Sequence, residues 1–198
     1  MILLTLGVVL FTLTHLYPCF AAQHRARLRE RLGENRYKGL FSLLVFVAIG
    51  CILAGWRSAS PMPLYFLPVW GPTLVMGIMP IALVLLCAGQ GANHFRRWLV
   101  HPQLLGVLLW SGAHLAVNSE ARSLVLFGGL GLWALISIVW ISMREWGRHP
   151  RAAATWQGTG ISLGAGLALT ALLIFWGHGW LTGIPLHCSL NQIPGSCV

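Results

Sequence analysis

Six times along its 198 residues the chain runs for roughly twenty positions with scarcely a charge. The runs fall near residues 2–22, 39–56, 69–90, 99–118, 121–143 and 157–180. About 20 apolar residues in a helix cross the ~30 Å hydrocarbon core of a bilayer. In lipid each backbone N–H and C=O must be satisfied within the segment, so each run reads as a helix. The expected fold is therefore all-α, a polytopic transmembrane helical bundle of about six spans, forming one domain over 1–198. Charged residues make up only 9% of the chain, against about 25% in soluble domains. That is too little charge to cover a water-facing surface, and six spans leave no length for a separate soluble domain.

Thirteen Lys and Arg oppose four Glu, for a formal charge of +9. In a soluble chain such an excess suggests nucleic acid. Here the cations lie in short connections, so nucleic acid is not an expected partner and membrane lipid is. Arg25, Arg27, Arg29, Arg31, Arg36 and Lys38 follow the first run; Arg96 and Arg97 follow the third; Arg144, Arg148 and Arg151 follow the fifth. The alternate connections carry only Arg57 and Arg122. The positive-inside rule then puts the basic connections in the cytoplasm and both termini in the periplasm of a bacterial inner membrane. The first run has no basic residues before it and reads as a retained helix rather than a signal peptide. The stretch Gln23 to Lys38 is amphipathic, with Leu28, Leu32 and Tyr37 among arginines, and is expected to lie in the headgroup interface.

Of eight histidines, His24, His94, His101, His149, His178 and His187 fall near basic connections or run ends, where imidazole is easily hydrated. His15 and His114 fall inside apolar runs, where ionisable groups are rare, face the protein interior and usually serve a function. Ser111, three residues before His114, and Asn118, four after, share its helical face with Trp110. The ordinary reading is that each histidine hydrogen-bonds a neighbouring helix and fastens the bundle. The functional reading is axial ligation of haem by two imidazoles from different helices. Arg25 is then a candidate partner for the propionates. Among the cysteines, Cys19, Cys51 and Cys87 read as small apolar packers. Cys188 and Cys197 are either a disulfide in an uncharged tail or two unpaired thiols.

The runs Thr14-His15-Leu16, Arg25-Ala26-Arg27-Leu28 and Leu32 to Leu43 resemble the N-terminal half of the NnrU family. His101-Pro102-Gln103-Leu104-Leu105-Gly106, Trp110, Ala113-His114-Leu115, Asn118, Leu126-Phe127-Gly128 and Trp180 to Pro185 continue the resemblance over nearly the whole chain. It implies a membrane protein linked by family name to nitric oxide or denitrification metabolism. The family is similar to 15-cis-zeta-carotene isomerase, a haem b membrane enzyme acting on a lipophilic polyene. That relation implies haem b as cofactor with His15 and His114 as iron ligands. Where the isomerase has a cysteine three residues before its ligand, this chain has Ser111, and its Asn-Gly-Asp is here Asn118-Ser119-Glu120.

Two other classes stay open. The segment from His101 to Gly106 with Arg144-Glu145 also resembles the cofactor region of isoprenylcysteine methyltransferases and sterol reductases, which seat a cofactor near the cytoplasmic face. A non-enzymatic assembly factor for a redox or denitrification partner is the third. No Walker, HExxH or GxSxG motif and no intramembrane carboxylate pair occurs, which argues against nucleotide-driven, metalloprotease and proton-pumping chemistry.

Overall fold

The apolar runs become helices whose ends coincide with the charged and proline-bearing connections. The structure, a computed structural model, describes residues 1–144, 154–183 and 186. Among these, eight helices follow in chain order: α1 (Ile2–Phe20), α2 (Ala22–Leu32), α3 (Glu34–Ser58), α4 (Gly71–Cys87), α5 (His94–Trp98), α6 (Pro102–Leu115), α7 (Ala121–Arg144) and α8 (Trp156–Thr182). The all-α membrane bundle is as the sequence implies. Expectations for Arg148, Arg151, His149, His187, Cys188 and Cys197 lie outside the described residues.

Four helices, α1, α3, α7 and α8, have the length and apolarity of full spans. The other two runs give shorter helices than expected. Pro72 starts α4 in its first turn, and Pro102 starts α6 after His101 as N-cap. At 14 residues α6 is about 21 Å long, less than the ~30 Å of hydrocarbon, and it is completed at one end by extended chain. The amphipathic stretch is also interrupted. Gly33 takes φ +77°, a left-handed value that favours glycine, and separates α2, which buries no side chain, from α3.

The helices pack in a circuit. α3 lies on α1, α1 on α7, α7 on α6, α6 on α4 and α4 on α8, and the end of α8 returns to α3. Arg57, in the last turn of α3, donates to the Trp180 carbonyl at 2.9 Å and closes the circuit. The tightest pair is α1–α3, where small residues let backbones approach. A Cβ on Gly7 would stand 2.7 Å from the Ile52 nitrogen, and one on Gly55 would strike the Leu4 backbone. Around this seam Leu4, Val8, Ile52, Trp56, Leu126 and Phe127 form the core.

At the end opposite the basic connections, residues 59–70 fold back over α6. Leu64 N–H donates to Ser119 O at 2.8 Å and Ala121 N–H to Met62 O at 2.9 Å. The Tyr65 hydroxyl reaches the Leu115 and Asn118 carbonyls at 2.6 and 2.8 Å, which are orphan acceptors at the end of a helix. Arg122 does the same for α3. It donates to the Trp56 and Ala59 carbonyls at 3.4 and 3.3 Å, pairs with Glu120 at 2.5 Å and stacks on the Trp56 ring at 4.6 Å.

Candidate functional site

Both intramembrane histidines sit part-buried among aromatic rings. His15 Nδ1 lies 2.8 Å from the Phe11 carbonyl and His114 Nδ1 lies 2.9 Å from the Trp110 carbonyl. A carbonyl only accepts, so each Nδ1 carries the proton and each Nε2 keeps its lone pair. No described residue hydrogen-bonds either Nε2. This is the tautomer of a metal-ligating histidine, whose other nitrogen is anchored on a carbonyl or carboxylate. The bond to residue i−4 also swings each ring toward the N-terminus of its own helix.

The helix α7 serves as a ruler between them. Phe127 stacks on His114 with centroids 4.3 Å apart, and Trp133 meets His15 edge-on at 5.3 Å. These six residues correspond to roughly 9 Å along the helix. Between them, Gly131 faces Ser111, whose Oγ would be 3.3 Å from a Cβ there. Among the described residues no ring contact or hydrogen bond joins His15 to His114; the rings form two separate triads, Phe11, His15 and Trp133 in one and Trp110, His114 and Phe127 in the other. Two buried polar atoms in this stretch lack partners, Ser111 Oγ and Trp133 Nε1. Unsatisfied buried groups in a native protein mark strain, chemistry or an unseen partner.

Asn118 does not point its amide at the imidazole. Its Nδ2 donates to the His114 carbonyl at 2.8 Å, capping the helix that carries the histidine. Arg25 lies at the basic end, its guanidinium 6.0 Å from the Tyr37 ring centroid and its Nε buried without a partner. Phe41 stands between, touching the His15 ring at 5.6 Å and lining a cavity beside Arg25. Among the site residues read from sequence, Ser111, His114 and Asn118 thus form one cluster. His15 and Arg25 lie toward the basic end of the bundle, apart from that cluster.

Sequence reasoning placed His178 at a run end with an ordinary interfacial role. The structure brings it to His114, with ring centroids 6.5 Å apart and planes inclined by 21°. His178 Nδ1 lies 3.3 Å from Thr182 Oγ1. Two π-helical turns flank this pair: Leu124–Gly128 carries Phe127, and Leu173–Gly177 leads directly into His178. Such turns are rare and concentrate at functional sites. His101, by contrast, bonds Ser142 Oγ at 3.0 Å at the basic end of α6, away from this cluster.

The donor set suits a haem iron: two neutral imidazoles with fixed tautomers, in an apolar aromatic surround. Among the described residues no group of three His, Cys, Asp or Glu side chains gathers as for a small metal ion. A family model described as NnrU protein matches residues 3–186. Neither the curated proteins nor the solved structures yield a match.

Proposed function

This chain belongs to the NnrU family, and on that premise we propose that it is a membrane protein that binds haem b, with His114 as one axial ligand. The observation that carries the reading is the matched pair of Nδ1 bonds to the Phe11 and Trp110 carbonyls. They leave Nε2 of His15 and of His114 as the unengaged donors. Because α1 and α6 run in opposite directions, the two rings lean toward each other, and His15 would be the second residue to hold the group. Haem b there would supply one-electron or gas-binding chemistry. The chain's own part is to fix both tautomers, hold the apolar surround and offer Ser111 Oγ and Trp133 Nε1 as hydrogen-bonding groups.

A second residue that would hold the group together with His114 is His178, whose ring centroid stands 6.5 Å from that of His114. Ser111 supplies no thiolate, so thiol-dependent ligand exchange of the isomerase kind is not part of the proposal. A redox or nitric oxide role is preferred to polyene isomerisation. The basic end is assigned to the cytoplasm of a bacterial inner membrane.

The test is the visible spectrum of detergent-purified protein loaded with haem b. Low-spin bands are expected for the wild type and His101→Ala, and their loss for His114→Ala. If His15→Ala turns high-spin and His178→Ala does not, His15 is the trans ligand; the converse assigns His178. A wild type that takes up no stoichiometric haem overturns the reading.

A further inference from the structure

At the basic end a cavity of about 290 Å³ opens between the last turn of α1, the first of α2 and the first two of α3. It is lined by Pro18, Arg25, Tyr37, Lys38, Phe41 and Ser42. Two cations and two hydroxyl groups face one space, and no carboxylate lines it. Glu34 lies on the neighbouring turn, where it is held by Arg29 and by Lys38 at 3.1 Å. The Arg25 Nε is buried with no hydrogen-bond partner, a costly state for a charged donor unless a ligand completes it. Tyr37, only 7% exposed, is the buried wall against which the guanidinium rests.

We infer that this cavity is a specific site for the phosphate headgroup of one anionic phospholipid. Arg25 presents a planar fork suited to a phosphate diester, with Ser42 as a hydroxyl donor at the rim and Lys38 beside it, its ammonium shared with Glu34. The volume sits at the lower edge of the ~300–1,000 Å³ usual for small-molecule sites. That suits a phosphate and part of its glycerol but not a macrocycle. Phe41 closes the floor toward His15, so the oxyanion arrives from the membrane interface. From the rim, Leu40, Leu43 and Leu44 run exposed along α3 at 45%, 58% and 37%, giving the acyl chains an apolar track. The site is independent of haem.

Native mass spectrometry of the delipidated full chain, titrated with phosphatidylglycerol, phosphatidylcholine or inorganic phosphate, tests it. One phosphatidylglycerol per chain is expected for the wild type and for Arg36→Gln, an equal charge change on exposed α3 surface. Arg25→Gln should weaken it about tenfold, as for loss of a charge-assisted bond. Arg25→Lys, which keeps charge and fold but loses the fork, should weaken it too. Equal losses for Arg25→Gln and Arg36→Gln would show a diffuse basic surface and overturn the site. So would phosphatidylcholine binding as tightly, or inorganic phosphate filling the site as well as the lipid does.

Discussion

An imidazole whose Nδ1 proton is held by the carbonyl one turn back has a single direction left in which to act, and two residues in this bundle share that state. For His114 the arrangement is reinforced from both sides: Trp110 O takes the ring proton, and Asn118 Nδ2 donates to the carbonyl of His114 itself. Asn118→Ala should therefore loosen the end of α6 while leaving the His114 tautomer intact. The expected result is a loss of about 1 kcal/mol of stability, read as a lower thermal midpoint, with low-spin haem bands retained. Tyr65→Phe removes the hydroxyl that bridges the Leu115 and Asn118 carbonyls. It should cost about 1–2 kcal/mol, measured as detergent-solubilised unfolding, because those acceptors have no replacement within the helix. The part-buried placement of His15 and His114 was legible in the sequence, since an imidazole in an apolar run faces the protein interior. The approach of His178 was not: 64 residues separate it from His114, and their meeting depends on how the last helix returns to the bundle.

At the level of helices, starts were easier to read than lengths. Pro72 and Pro102 fix first turns, whereas the end of α6 at Leu115 is met by Tyr65, whose hydroxyl satisfies the Leu115 carbonyl across 50 residues. Pro18 and Pro80 lie inside helices that tolerate them, as membrane helices often do when neighbours satisfy the freed carbonyls. The end of α3 depends on Arg122, whose side chain is 13% exposed and whose partner Glu120 is 25% exposed. Arg122→Ala strands that carboxylate and two helix-end carbonyls. It should destabilise by about 2–3 kcal/mol, below the ~3–5 of a fully buried pair, whereas Glu120→Gln should cost less because the carbonyl bonds and the Trp56 stack survive. The α1–α3 seam gives a sterner outcome. Gly55→Val drives a branched side chain into the Leu4 backbone, and overpacking of this kind costs about 1–3 kcal/mol or more, read as loss of monodisperse protein on size exclusion.

For the molecule as a whole, alternation of basic and nearly uncharged connections orients the bundle. Single-cysteine variants at Arg29 and Phe66, in a background lacking the native cysteines, should label from opposite sides of the membrane, with Arg29 reached only from the cytoplasm. Labelling of both from one side would overturn the assignment of sides. The bundle's order in space, α3–α1–α7–α6–α4–α8, differs from its order in the chain, and hydrophobic runs alone do not encode that permutation. The hydrogen bond from Arg57 to the Trp180 carbonyl joins the third helix of the chain to the eighth. A ribosome delivers these two partners more than a hundred residues apart, so α3 must wait in the bilayer while four further helices emerge. During that interval the flank that α8 later covers faces lipid or an insertion chaperone, and His114 stands without His178. The contact between His114 and His178 therefore belongs to the last step of assembly, and a nascent chain stalled before Trp156 holds every helix of the bundle but the one that makes it.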